Sequence, residues 1–341
     1  MVADLSVAAE AIETLCTVEM REPGESYGVI RPLYEAGREA QGGFPTELAV
    51  KALTARVGKG DIVVIATGAY FPDYMPKGEN DGPLGAASLA YALNLGLEAI
   101  PLILCEEPII EPVEASCQAI GLGVRPLEVA RKVPYAVVVD SFPVDESAEK
   151  EAQIIVDTLK PKALICVEKL GLNSKGIAHS ATGGPAMEGR ARVEVLVSAA
   201  RDAGLLTIGI GDNGNEIGFG LISEAVREYK EYGRVCRCPC GAGLACVDVC
   251  DILITASVSN WGAYGLSAGL AVALQQPYLV HDYATELRMI DACVSAGAAD
   301  GAYGMYTVSV DGVPGPLSGY LVEMLRFIVE KNLEERGERA F

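Results

Sequence analysis

The sequence predicts an α/β protein: a three-layer fold with a mostly parallel sheet and helices on both faces. Two observations carry this expectation. Short, uninterrupted apolar runs alternate with helix-length segments along the chain, which is how strands buried on both faces read when crossover helices cover them. Most of these runs also end in a glycine-rich or acidic loop, the position where open parallel sheets place their ligands. A chain of 341 residues that is 50% hydrophobic has enough apolar surface to bury a large core.

The elements follow in order. Residues 1–20 read as an N-terminal helical arm, and 21–341 as a single α/β domain without a Pro-, Ser- or charge-rich linker. Residues 61–67 form the first expected strand. Its loop leads into a helix at 83–95, where Pro83, following Asp81 and Gly82, is a helix-start signal. Strands are expected at 99–104, 136–139, 163–167, 205–210, 252–256 and 278–280. Helices are expected at 147–159, 189–203, 217–232, 262–274, 284–296 and 317–335.

Composition narrows the function. A formal charge of −19 repels phosphate backbones and anionic lipid, so nucleic acid and membrane surfaces are excluded as partners and a small-molecule substrate is expected. The sequence does not fix whether the chain forms a homo-oligomer. The first twenty residues contain acids and no basic residue, unlike a secretory signal, and the apolar stretch 261–280 is interrupted by Gln275, Gln276 and Pro277. Together with ten cysteines and no secretory signal, this points to a cytoplasmic chain with free thiols.

The strand ends carry the chemistry. Asp140 follows the strand at 136–139, Glu168 follows 163–167, and 205–210 runs into Asp212, Asn213, Gly214, Asn215 and Glu216. The loop after 61–67 contains Gly78, Glu79, Asn80, Asp81 and Gly82. Carboxylates converging on one crevice repel one another unless a divalent cation sits between them, and oxygen-only donors favour magnesium, manganese or calcium over zinc. On this reading Asp140, Glu168, Asp212 and Glu216 are metal ligands, and the helix start at Pro83 offers amides to a substrate anion. The bland alternative is that these loops are turns and helix caps.

His281 directly follows 278–280 and is a candidate acid/base group, while His179, in a Ser/Thr/Gly loop, is assigned no role. Asn260 is a candidate to orient substrate, or else a helix cap, and Trp261, the single tryptophan, a pocket wall or a core residue. The cysteines at 236, 238, 240, 246 and 250 match neither C-x₂-C zinc pairs nor ferredoxin runs, so free thiols are expected there, with a bound metal as the alternative. P-loop and C-x-x-C motifs are absent from the sequence.

Four segments in order, LYEAGREAQGG at 33–43, GENDGPLGAA at 78–87, GDNGNEIG at 211–218 and VSNWGAY at 258–264, resemble the C-terminal domain of the D-glutamate cyclase family, over residues 22–330. The resemblance implies a lyase converting D-glutamate to 5-oxo-D-proline and water, dependent on manganese or magnesium. A manganese-dependent phosphatase built on the same acidic site is the alternative that the family offers. It further implies that Glu79, Asp81, Asp212 and Glu216 act as ligands or acid/base groups; Gly78, Asn80, Gly82, Asn215 and Asn260 are the candidate substrate-binding residues. Glu168-Lys169-Leu170-Gly171 departs from the E-R-P-G of many relatives. The separate N-terminal domain of larger relatives is expected to be lacking.

Overall fold

The computed structural model describes residues 5–20 and 27–333. In chain order the elements are α1 (Leu5–Cys16), α2 (Ile30–Gln41), α3 (Pro45–Arg56), β1 (Ile62–Thr67), α4 (Pro83–Gly96), β2 (Ile100–Cys105), α5 (Ile110–Ile120), β3 (Gly123–Val124), α6 (Leu127–Ala130), β4 (Ala136–Ser141) and α7 (Ser147–Ile154). They continue with β5 (Ala163–Val167), α8 (Val193–Asp202), β6 (Leu206–Gly211), α9 (Ser223–Tyr229), β7 (Ile252–Thr255), α10 (Ser259–Leu274), α11 (Tyr283–Ser295), β8 (Ser309–Val310), β9 (Val313–Pro314) and α12 (Gly315–Leu333).

Seven strands pair in the order β3-β4-β2-β1-β5-β6-β7, every pair parallel. The chain therefore builds outward from β1 in one direction through β2, β4 and β3, and in the other through β5, β6 and β7. Between β1 and β5 the strand order reverses, which opens a crevice beyond the carboxyl ends of those strands. Side chains alternate along each strand, so Val63, Ile65, Ile103, Ile165, Ile208 and Ile254 join one core and Val64, Ala66, Leu102, Leu104 and Leu164 join a second. Helices α4, α5, α10 and α11 cover the first face, and α7 and α8 pack on the second. The three-layer α/β expectation holds.

Helix α1 packs into the first core through Ala8, Ile12 and Cys16, whose thiol donates to the carbonyl of Trp261 at 3.2 Å. Residues 1–4 of the expected arm lie outside the described residues, as do the last two of the helix expected at 317–335. Among the described residues no helix is long and apolar enough to cross a membrane.

Six of the seven expected strands form within a residue or two of their expected bounds. The seventh does not: Pro277–Leu279 is a single 3₁₀ turn after Gln275 closes α10 in a left-handed conformation (φ 57°), and Pro277 has no amide to give a ladder. Helices α2, α3 and α5 are absent from the sequence reading; Pro32, Pro45 and Pro112 each lie in a first turn, where the missing amide costs nothing. The helix expected at 217–232 shrinks to α9. The helix expected at 147–159 ends as α7 at Ile154 and continues to Leu159 as one wider π turn.

Candidate active site

The loop between β1 and α4 is tied to the start of α10 by reciprocal caps. The Asp81 carboxylate accepts from the amides of Gly82 (2.9 Å), Ser259 (2.9 Å) and Asn260 (2.8 Å), so it sits at the positive end of α10. In return the Asn260 side chain accepts from the amides of Gly82 (2.9 Å) and Gly85 (2.6 Å) at the start of α4 and donates to the Asn80 carbonyl (3.1 Å). Gly82 permits the approach: at φ 98° it is left-handed, and a Cβ there would lie 2.7 Å from Thr67 Oγ1.

This geometry revises two expectations. Asn260 holds two helix starts together, and the helix opened by Pro83 gives the Gly85 amide of its first turn to Asn260 rather than to an anion. Gly78, Asn80 and Gly82 likewise shape the loop: Asn80 donates from its side chain to the carbonyl of Ser309 (2.6 Å) and from its amide to Ala299 (2.9 Å).

Beyond the strand ends lies a cavity of 680 Å³. Glu79, Glu168, Asp212, Asn213, Asn215 and Asp311 line it, opposite Phe71, Tyr74, Met75, the loop from Ser180 to Pro185, and Arg237. Asp81 and Glu216 are buried with these acids. Carboxylate oxygens of Glu168, Asp212 and Glu216 lie within 4.8 Å of one another, as do those of Asp81, Asp212 and Asp311, so Asp212 belongs to both groups. A shallower concavity of 450 Å³ near Arg56, Arg201 and Asp251 lies at the opposite, amino-terminal ends of β6 and β7, where this fold does not place its ligands.

Burial and mutual repulsion raise the proton affinity of the group. Burial pushes Glu79 well above the usual carboxylate range, with Asp311, Asp81, Glu216 and Asp300 adding to it. Burial does the same to Glu168, reinforced by Glu216, Glu79 and Asp81 and opposed by a hydrogen bond from Ser259 Oγ at 2.5 Å. Asp81 rises to about 8, by burial first and Asp311 second, although three backbone amides pull the other way.

Two of these acids stand in left-handed backbone conformations, Glu168 at φ 46° and Asp311 at φ 52°. For a glutamate this is strained by about 1–3 kcal/mol, the kind of outlier that collects at functional sites. Glu216 Oε1 accepts from the amides of Asp212 (3.0 Å) and Asn213 (2.8 Å), whereas its buried Oε2 has no hydrogen-bond partner among the described residues. With an unpartnered buried carboxylate oxygen beside two further carboxylates, Glu168, Asp212 and Glu216 are a group that could hold a divalent cation.

Asp140 stands apart from this group. It is exposed, accepts from the adjacent Ser141 amide at 2.8 Å, and ends β4, two strands from β1 on the side away from β5. His281 is also elsewhere, because the strand expected to aim it is absent. It is buried behind α4, with Nε2 2.8 Å from Glu286, Nδ1 3.3 Å from Ser88 Oγ and its ring edge-on to Tyr264. Trp261 packs the core, donating to Ser318 Oγ at 3.2 Å.

Four features were not legible beforehand. Asp311 reaches the site on the β8–β9 hairpin, whose two-residue Asp311-Gly312 turn, left-handed at both positions, is a recognisable hairpin signal. Asp300 builds that loop by accepting from the amides of Ala302 (2.9 Å) and Gly312 (3.1 Å) and from Ser309 Oγ. Lys169, fully buried, pairs with Glu106 at 2.5 Å and donates to the Gly68 carbonyl at 3.0 Å, fixing the strand ends under Glu168.

The fourth joins residues that the sequence reading kept apart: His179 Nε2 lies 3.2 Å from Cys238 Sγ and 3.7 Å from Cys240 Sγ, and Cys236 Sγ lies 3.5 and 3.2 Å from those thiols. The five clustered cysteines are thus not one group, since Cys246 and Cys250 are buried in separate cores. Burial acts to raise the Cys236 thiol, but hydrogen bonds from Cys240 and Cys238 bring it down to about 6.

Residues 35–326 match the family described as D-glutamate cyclase-like, C-terminal. The mitochondrial D-glutamate cyclase of Homo sapiens is 26% identical over 290 residues, covering 74% of this chain and 43% of that protein. The chain therefore spans less than half the length of this relative. With most of its length matched, and with the matching segments forming the reciprocal caps and the acidic floor, the chain belongs to the D-glutamate cyclase-like family.

Proposed function

We propose that this chain is a lyase that closes a small amino dicarboxylate into a lactam with loss of water, taking D-glutamate to 5-oxo-D-proline. The observation that carries this reading is the set of buried carboxyl groups with raised proton affinity around one cavity. In this reaction the substrate ammonium loses two protons, the nitrogen bonds to the distal carboxyl carbon, and the departing oxygen leaves with both protons as water. A group that takes and returns protons near neutral pH is what the reaction needs, and a carboxylate raised by burial is suited to it. Glu79, on the cavity wall, takes that role, with Asp81 behind it.

Asn215 presents a buried Oδ1 without a hydrogen-bond partner among the described residues and accepts from the substrate amine. Arg237, the one basic side chain on the wall among the described residues, pairs with a substrate carboxylate. Glu168, Asp212 and Glu216 would hold a manganese or magnesium ion, which when bound would supply Lewis-acid polarisation of a substrate carboxyl group. The phosphatase alternative has less behind it, since a single arginine and a helix start already occupied by Asn260 leave few donors for a phosphate. Incubating the protein with D-glutamate and manganese, with L-glutamate in parallel, and resolving 5-oxoproline by chiral chromatography tests the reading. A metal-loaded sample that forms no lactam from either isomer overturns it.

A further inference from the structure

We propose that His179, Cys236, Cys238 and Cys240 form a structural zinc site that pins together the two loops walling the acidic cavity. The four donor atoms lie within 4.8 Å of one another. Zinc with bonds of about 2.3 Å to sulfur and about 2.0 Å to nitrogen at tetrahedral angles separates sulfur atoms by about 3.7 Å and sulfur from nitrogen by about 3.5 Å. The thiols stand 3.5 and 3.2 Å apart, and the imidazole nitrogen is 3.2 and 3.7 Å from two of them. All three cysteines are free, so no disulfide competes for this arrangement.

The surroundings match those of a ligand set. His179 Nδ1 lies 3.1 Å from the carbonyl of Ile177, which places the proton on Nδ1 and turns the Nε2 lone pair toward the sulfurs. Asn173 points its side-chain amide at Cys240 Sγ (3.5 Å) and at the Gly243 carbonyl (2.7 Å), steadying the cysteine loop from behind. Thiolate and imidazole donors select zinc, whereas the carboxylates of the cavity select harder ions. Three cysteines and one histidine complete a tetrahedral set with no position left for substrate, so the role is structural.

The site bears on the cavity through the backbone. Arg237, between two ligands, donates its amide to the Gly183 carbonyl at 2.9 Å, and Asn215 donates to the carbonyl of His179 at 2.8 Å. Zinc here would hold Arg237, Thr182 and Asn215, all on the cavity wall, in fixed relation. It is independent of the cyclisation chemistry, because none of its ligands lines the cavity.

Elemental analysis of protein purified without chelators, and the absorption spectrum after replacement by cobalt(II), test the site. About one zinc per chain is expected, since a preformed thiolate site binds zinc tightly. The cobalt form should show thiolate charge-transfer bands in the near ultraviolet and intense visible bands of tetrahedral cobalt. Cys238→Ser and Cys240→Ser should lose the metal, and Asp212→Asn should retain it. If the cysteine variants fail to fold, the cobalt spectrum of the unaltered chain decides alone, because oxygen ligands give no thiolate bands. The proposal is overturned by a chain without zinc, by zinc that is lost in Asp212→Asn but not in the cysteine variants, by iron and sulfide in its place, or by a Cys236–Cys240 disulfide in an unreduced peptide map.

Discussion

Replacing Asn260 by alanine cuts the link between the β1–α4 loop and α10. The wild-type side chain accepts from the amides of Gly82 and Gly85 and donates to the carbonyl of Asn80, all of them buried. Gly82 keeps its second acceptor, Asp81 Oδ1. The Gly85 amide and the Asn80 carbonyl lose their side-chain partner in a place water does not reach. At about 1–3 kcal/mol for each buried polar group so orphaned, the loss is about 2–6 kcal/mol, and we expect about 4. Urea unfolding followed by fluorescence of Trp261, the only tryptophan and the next residue in the chain, measures it directly. The midpoint should fall while the slope of the transition stays unchanged. A loss below about 1 kcal/mol would mean that the reciprocal caps do not hold the two helices, and the reasoning from orphaned groups would be refuted.

Three further perturbations separate the parts of the site. Metal-free protein should lose stability as pH rises from the ordinary carboxylate range toward 8, because Glu79, Glu168 and Asp81 bind protons more tightly folded than unfolded, Asp81 moving from 3.8 to about 8. Melting temperatures across that window check this: manganese should raise them more at pH 8 than at pH 5 and Glu168→Gln should flatten the metal-free slope, whereas a melting temperature that climbs with pH would contradict it. Arg237→Gln should raise KM for D-glutamate about 10–100-fold and leave kcat within a few-fold, since it removes one charge-assisted contact of about 1.5–3 kcal/mol. Steady-state kinetics in which kcat collapses while KM holds would move Arg237 into the chemical step. Lys169→Met should destabilise the chain by about 3–5 kcal/mol by leaving Glu106 buried without its cation; denaturant unfolding within about 1 kcal/mol of wild type would show that the ion pair does not hold these strand ends.

How much of this was legible in the sequence depends on how local each cause is. Continuous apolar runs located β1, β2, β4, β5, β6 and β7, because burial on both faces leaves its mark residue by residue. The acids that follow β1, β5 and β6 were found by the strand-end rule, and the structure groups Glu79, Asp81, Glu168, Asp212 and Glu216. The same rule misled at Asp140, because strand order, which the sequence does not display, sends β4 to the far side of β2. His281 failed for a different reason, since its apolar approach is a turn opened by proline. Asn260 was found as a site residue, but its partners on α4 lie 175 and 178 positions earlier, so its capping role belongs to tertiary structure. The His179 and cysteine group shows the same limit: three ligands sit within one loop, and the fourth arrives from a segment with no metal signature of its own.

The account turns most on Asp212, which belongs to both carboxylate groups and lines the cavity. Its direct test is the rate of 5-oxoproline formation from D-glutamate by wild-type chain and by Asp212→Asn, both with manganese and with melting temperatures recorded alongside. The account predicts turnover by the wild type and a loss of about 10³-fold or more in a variant that remains folded, as expected when the catalytic electrostatics are removed. A folded Asp212→Asn that keeps its rate within about tenfold of wild type would contradict it, since tenfold is only about 1.4 kcal/mol of barrier.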